Sequence, residues 1–234
     1  MRDQSSHKSS SYVQVTQNEL SENHCRATQG IAGDPQGWRA ERPRTSSIMI
    51  ADDHAYPSQW ERHFVLSDGR RLFARPIRPD DEPLFLQLLQ HVSAEDLRLR
   101  FFDSIKEFTH PFLAQLTQLD YARAMAFIAL DEASGEALGV VRVHSDSIGD
   151  SGEYAILLRS DLKGHGLGWS LMQMIIKYSR TEGLKRIVGQ VLQENSVMLS
   201  MCRDLGFKVK TDTDDRGLCD VTLVLEPAIA SATG

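Results

Sequence analysis

The 234-residue chain predicts an α/β (α+β) domain, and three observations carry that reading. Asp68-Gly69 stands between two extended runs, a hairpin signal. The short apolar stretch ending at Leu158 passes through a glycine-rich turn directly into residues with helical spacing. Near the end, Phe207 to Lys210 and Leu218 to Leu225 frame the polar turn Asp212 to Arg216, a closing strand pair.

Residues 1–55 are rich in Ser, Gln, Asn, His, Arg and Asp without a sustained period. Their sparse apolar residues do not offset the entropy of ordering a backbone, so this segment is expected to be a disordered tail. Order is expected from Tyr56 to about residue 226, with a short tail over 227–234. Hydrophobic content of 41% supplies a core, and a net charge of -6 gives no sign of nucleic-acid binding through global charge. Cys25, Cys202 and Cys219 are too few and too scattered for a disulfide framework or a zinc site, so no metal is expected. No run approaches a membrane span in length, and the first residues lack the apolar core of a secretory signal. A cytoplasmic setting is the default expectation, and the oligomeric state is not legible.

The elements follow in order. His63 to Leu66 and Arg71 to Ile77 form the first hairpin. Asp80 can cap the first helix, with Pro83 in its first turn and Leu84, Phe85, Leu88, Leu89 and Val92 on its apolar face. Ser93 and Asp96 resemble a capping box opening a helix through about Phe102. That helix carries Arg98 and Arg100, which read either as a solvated face or as an entrance for substrate or phosphate. Thr109 can start a short helix ending near Leu119. Ala124 to Leu130 and Ala137 to His144 are strands joined at Gly135, and they lead into the strand Glu153 to Leu158. A long helix from Gly166 to Glu182 is closed by Gly183; Arg186 to Leu192 is a strand, and Asn195 to Leu205 a last helix ended by Gly206.

The turn Lys163-Gly164-His165-Gly166-Leu167-Gly168, followed by Trp169, is the chemically informative stretch. A helix start leaves backbone N–H groups without partners and carries about half a positive charge. Glycines remove the Cβ atoms that would hold an anion away from those donors. A P-loop needs Lys then Ser or Thr after its last Gly, and a dinucleotide fingerprint needs Gly-x-Gly-x-x-Gly. Neither is present.

KGHGLG instead resembles the pyrophosphate-binding signature of the GNAT superfamily of acyl-CoA N-acyltransferases, with Lys163 in the Gln/Arg position and Gly166 and Gly168 in the glycine positions. The phrases YPSQWERHFVLSDG, RPIRPDDEP, SAEDLRLRFF, TQLDYARAMAFIAL, LLRSDLKGHGLG and LGF resemble the C-terminal acetyltransferase domain of Pat-type bacterial protein lysine acetyltransferases. In larger members that domain follows a synthetase-like region, for which these 234 residues show no counterpart. The resemblance covers roughly Tyr56 to Leu225. It implies a mixed, mostly antiparallel sheet with helices on both faces, and acetyl-CoA as co-substrate. The acceptor it implies is an amine, above all protein lysine. A small-molecule amine acceptor or a non-catalytic acyl-CoA-sensing module are the alternatives.

The same resemblance implies site residues. The backbone from Gly164 through His165, Gly166 and Leu167 to Gly168, with Lys163 and Trp169 at its ends, would grip CoA. Asn195 matches the family Asn that reaches CoA from across the cleft, and it can also cap its helix. The backbone N–H of Leu157 or Leu158 would hold the thioester carbonyl. Glu153 falls where the family carries its general base; His144 and His165 are rivals because neutral imidazole suits that task. Many family members place a Tyr four residues before the Gly of the LGF turn, where Cys202 stands here. Cys202 and Tyr178 both read more naturally as core residues.

Overall fold

The hairpin at Asp68-Gly69 follows a short 3-10 turn, Ser58–Trp60. The computed structural model describes residues 56–102, 107–213 and 215–225. The tails expected over 1–55 and 227–234 lie outside the described residues. Strands β1 (Arg62–Val65) and β2 (Arg71–Pro76) pair antiparallel, and Gly69 takes φ 86° in the turn between them. Helices α1 (Glu82–Gln90), α2 (Ala94–Phe101) and α3 (His110–Thr117) follow. Then come β3 (Ala124–Asp131), β4 (Ala137–Ser145) and β5 (Ser151–Leu158), α4 (Leu167–Thr181), β6 (Arg186–Leu192), α5 (Ser196–Asp204), β7 (Lys208–Thr211) and β8 (Leu218–Val224).

The eight strands form one sheet in the order β1-β2-β3-β4-β5-β6-β8-β7. Every neighbouring pair is antiparallel except β5 with β6, which run parallel. The sheet is therefore mixed and mostly antiparallel, with helices on both faces. Because side chains alternate across a strand, β3 serves two cores at once. Met125, Phe127 and Ala129 face a cluster with Leu171, Ile175 and Tyr178 of α4 and with Leu199 and Cys202 of α5. Ala126 and Ile128 face the opposite cluster, with Phe85 and Leu88 of α1, Leu97 of α2 and Leu113 of α3. Burial on both faces explains why β3 reads as an unbroken apolar run. Tyr178 packs edge-on to Trp60 at 5.2 Å and to Phe127 at 5.9 Å, the core role its spacing suggested.

Two local expectations are corrected. Asp81, not Asp80, organises the entry to α1: its Oδ2 accepts from the Arg78 N–H at 2.7 Å, within the 3-10 turn Pro79–Asp81 that precedes the helix. The reason is tertiary. Arg75 of β2 reaches the same carboxylate through two bonds of 2.6 Å, and both side chains are buried, at 7% and 3% exposure. Helix α2 stops at Phe101, because Phe102 takes φ 59° and its N–H closes on the Arg98 carbonyl. The capping box before α2 is half formed: the Ser93 hydroxyl accepts from the Asp96 N–H, while the Asp96 carboxylate turns elsewhere.

Removing one member of a buried bidentate pair leaves the other charge without compensation. Asp81→Ala is expected to lower unfolding free energy by about 3–5 kcal/mol, measured by urea denaturation. A loss below about 1 kcal/mol would mean Arg75 finds water or another partner.

Candidate active site

Strand β5 pairs with β4 along its whole length but with β6 only from Ser151 to Glu153, opposite Arg186 to Val188. Beyond Glu153 the two parallel strands part. At the parting point the Tyr154 ring lies across Gly189 of β6, where a Cβ would stand 2.5 Å from Tyr154 Cε1. The direction of each β5 amide follows from alternation. The Arg159 N–H donates to the Leu138 carbonyl at 3.0 Å, on the β4 side, so Leu157 also points its N–H toward β4. Ile156 and Leu158 point theirs into the gap toward β6. Of the two positions the sequence left open, Leu158 offers its amide to the cleft; Leu157 is a core residue, 6% exposed.

After β5 the chain makes a 3-10 turn, Ser160–Leu162, and enters the glycine turn. Gly164 and Gly166 take φ 84° and 90°, and a Cβ on either would meet nothing within 4 Å. Gly166 is the N-cap of the 15-residue α4, and no side chain caps that end. The N–H groups of its first turn are thus left to a ligand. Leu167 is buried beneath them, Trp169 is 38% exposed beside them, and Gly168 lets the turn approach β5, its missing Cβ lying 3.1 Å from Leu158 Cδ1.

The turn is held from two sides. The Ser67 hydroxyl in the β1–β2 hairpin donates to the His165 carbonyl at 3.3 Å, and Asp68 lies 3.6 Å from His165 Nδ1. On the other side the Lys163 ammonium bonds the Asp96 carboxylate of α2, which also accepts from the Ser160 hydroxyl at 2.5 Å. Burial pushes the Asp96 carboxyl up, but the bonds from Lys163 and Ser160 outweigh it and hold the group below its usual range. Lys163, expected to lend its charge to a ligand, is already paired.

Asn195 caps α5, its Oδ1 accepting from the Met198 N–H at 3.1 Å. Next to it, Glu194 accepts from Arg98 of α2 at 2.5 Å, an ion pair joining that helix to the β6–α5 loop. Sequence left Arg98 and Arg100 undivided. The structure separates them, since Arg98 is bound by Glu95 and Glu194 whereas Arg100 has no such partner among the described residues.

Glu153 is half-buried at the last paired position of β5, opposite His144 of β4. Burial raises its carboxyl above the ordinary value, with the Arg100 charge opposing the rise. Burial lowers His144, helped by the charges of Arg142 and Arg123 and opposed by Asp120. Cys202 is fully buried, and its Sγ lies 3.2 Å from the Tyr154 hydroxyl. Burial pushes this thiol up, so it is a packed neutral group facing the core. Sequence reasoning passed over Arg142, although a charge inside the apolar run Ala137 to Val143 was a readable signal. Among the described residues no cluster of three or more His, Cys, Asp or Glu could hold a metal, and no helix is long and apolar enough to cross a membrane.

Comparison with known proteins agrees with this fold. Residues 71–208 match the family described as "Acetyltransferase (GNAT) domain". The chain belongs to that family and is an acyl-CoA-dependent N-acetyltransferase. It is 32% identical over 157 residues to a Pseudomonas aeruginosa protein named acetyltransferase PA5475, covering 65% of this chain and 84% of that one. It is 28% identical over 139 residues to the acetyltransferase Pat of Mycolicibacterium smegmatis, covering 59% of this chain but only 41% of the relative. The crystal structure of the GNAT domain of S. lividans PAT superposes with a TM-score of 0.67 at 26% identity, covering 73% of this chain and 99% of that one.

A side chain at Gly166 would project beside the free N–H groups. Gly166→Glu is expected to weaken CoA binding at least about tenfold by calorimetry, and Gly166→Ala isolates the strain of placing a Cβ at φ 90°, about 1–2 kcal/mol. Equal CoA affinity in wild type and Gly166→Glu would remove the turn from the binding site.

Proposed function

We propose that the protein transfers the acetyl group of acetyl-CoA to the ε-amine of a protein lysine by direct attack in a ternary complex. The observation that carries this reading is Glu153, a half-buried carboxylate with a raised pKa at the point where β5 and β6 part. In this reading the pyrophosphate lies on the backbone of Gly164, His165, Gly166, Leu167 and Gly168. Lys163 shapes that turn through Asp96, and Trp169 covers its edge. The pantetheine arm enters between β5 and β6, with Asn195 on the far wall. The Leu158 N–H receives the thioester oxygen, whose negative charge grows as the carbonyl carbon becomes tetrahedral. Lysine as acceptor rests on the resemblance of the sequence phrases to Pat-type domains.

Each step has an energetic demand. A lysine amine has a pKa near 10.4, so holding it neutral at pH 7 costs about 4–5 kcal/mol. Attack forms the C–N bond and breaks the C–S bond. The amine proton passes to the Glu153 carboxylate, directly or through one water, and CoA leaves as a thiolate. A thiol pKa near 8.5 makes that a tolerable leaving group, so the absence of a tyrosine at Cys202 is no obstacle. A raised pKa makes the Glu153 carboxylate a stronger base than an ordinary glutamate.

Incubation of the purified protein with acetyl-CoA and a panel of proteins, peptides and small amines, read by mass spectrometry, tests the acceptor class. Modified lysines are expected; acetylated small amines alone would replace the protein acceptor, and CoA binding without any product would favour a sensor. Glu153→Gln is expected to lower kcat by about 10²–10⁴-fold. Because the Glu153 pKa is raised, wild-type activity should fall as pH drops through a limb above the usual glutamate value of about 4.3, and that limb should vanish in Glu153→Gln. A limb that survives there and vanishes in His144→Gln would transfer the role to His144.

A further inference from the structure

Arg100 and Arg142 stand on the acceptor side of the cleft near Glu153, and among the described residues neither has a carboxylate at ion-pair distance. Arg142 lies opposite Ala155 in the β4–β5 register, and His144 lies opposite Glu153. Alternation puts all four side chains on one face of the sheet, the face covered by α1, α2 and α3. Arg142 and Glu153 are diagonal cross-strand neighbours, about 7–8 Å apart at their Cα atoms. The residue opposite Arg142 is a small one, Ala155. Arg100 comes from the last turn of α2, its guanidinium carbon 4.7 Å from the centre of the Phe101 ring.

Neither guanidinium has an ion-pair or hydrogen-bond partner among the described residues. This contrasts with Arg75, Arg98, Arg159 and Lys163, each of which is bound to a carboxylate. Burial lowers both arginines to about 10, and for Arg100 the charge of Arg142 adds to the effect. Both residues are only partly buried, so solvent reaches their guanidinium groups, and two like charges on one face are favourably completed by an anion that meets them both. Glu153 compensates one of them when ionised. Around His144, Arg123 and Asp120 act in opposite directions. Two guanidiniums against one carboxylate leave the pocket net positive, which by itself repels an ammonium acceptor.

We propose that Arg100 and Arg142 form a carboxylate-binding subsite, so that the acceptor presents a carboxylate close to the amine that is acetylated. This deepens the function proposed above and rests on it. The carboxylate can belong to an acidic residue flanking the target lysine in a protein, or to a free amino acid. A planar guanidinium matches a carboxylate in a forked, charge-assisted geometry, and the second arginine adds charge without a new backbone element. The incoming carboxylate would offset the excess positive charge and leave Glu153 available to the amine.

The test uses matched acceptor pairs with acetyl-CoA: lysine peptides with Asp or Glu beside the lysine against Asn or Gln at the same position, and free amino acids against their carboxamides. The subsite predicts at least about a tenfold higher kcat/KM for the carboxylate member in one series, equivalent to about 1.4 kcal/mol. A preference confined to the peptides identifies a flanking acidic residue, and one confined to amino acids identifies a free carboxylate. Arg142→Gln and Arg100→Gln should each erase the preference mainly through KM for the carboxylate member, and Arg142→Lys should restore part of it. Equal efficiency within every pair, or variants that weaken both members alike, overturns the subsite. If no acceptor is acetylated, the lysine-acetylation reading fails on its own. Calorimetric titration of the same pairs into CoA-saturated protein then decides the subsite: tighter binding of the carboxylate member supports it, and equal binding overturns it.

Discussion

Parallel pairing between β5 and β6 lasts for three residues on each strand, and the rest of the site depends on where it ends. A parallel pair continued to Leu158 would use the amides of Ile156 and Leu158 in the sheet. Ending it at Glu153 leaves those amides facing a gap and puts a carboxylate at the apex of that gap. The flanking antiparallel pairs hold the two strands apart, β4 along β5 and β8 along β6. The opening is therefore a property of the whole sheet, with Tyr154 packed over Gly189 at its base.

Electrostatics divides this cleft into two sides. Around the glycine turn, the charges that the sequence displays are paired among themselves: Lys163 with Asp96, Arg159 with Glu136 and Asp161, Arg98 with Glu194. What remains for an anion there is the backbone, whose N–H groups start α4 without a side-chain cap. On the side proposed for the acceptor the pattern reverses: among the described residues Arg100 and Arg142 have no ion-pair partner, and Arg100 feels the Glu153 charge. In the proposed reading the cofactor half is thus a backbone site, and the acceptor half a side-chain site.

Much of this was legible in the sequence because it rests on local signals. Asp68-Gly69 sets the hairpin, two-sided burial makes β3 a continuous apolar run, and Asn195 caps α5 as its position suggested. The errors fall where a partner far along the chain decides. Adjacent aspartates at 80 and 81 look equivalent until Arg75, on a different element, selects Asp81. Lys163 likewise has a partner that no local pattern shows, the Asp96 carboxylate 67 residues earlier. The choice between Leu157 and Leu158 needed strand register, which no local pattern encodes. Likewise Arg100 and Arg142 become a pair only when α2 is laid across β4 and β5.

Amide hydrogen exchange of β5 with and without CoA tests the central claim most directly. If the pantetheine arm occupies the gap between β5 and β6, the Ile156 and Leu158 amides should exchange more slowly when CoA is bound, while Leu157, already turned toward β4, should change little. Equal exchange at Ile156 and Leu158 with saturating CoA would contradict the cleft as the cofactor site.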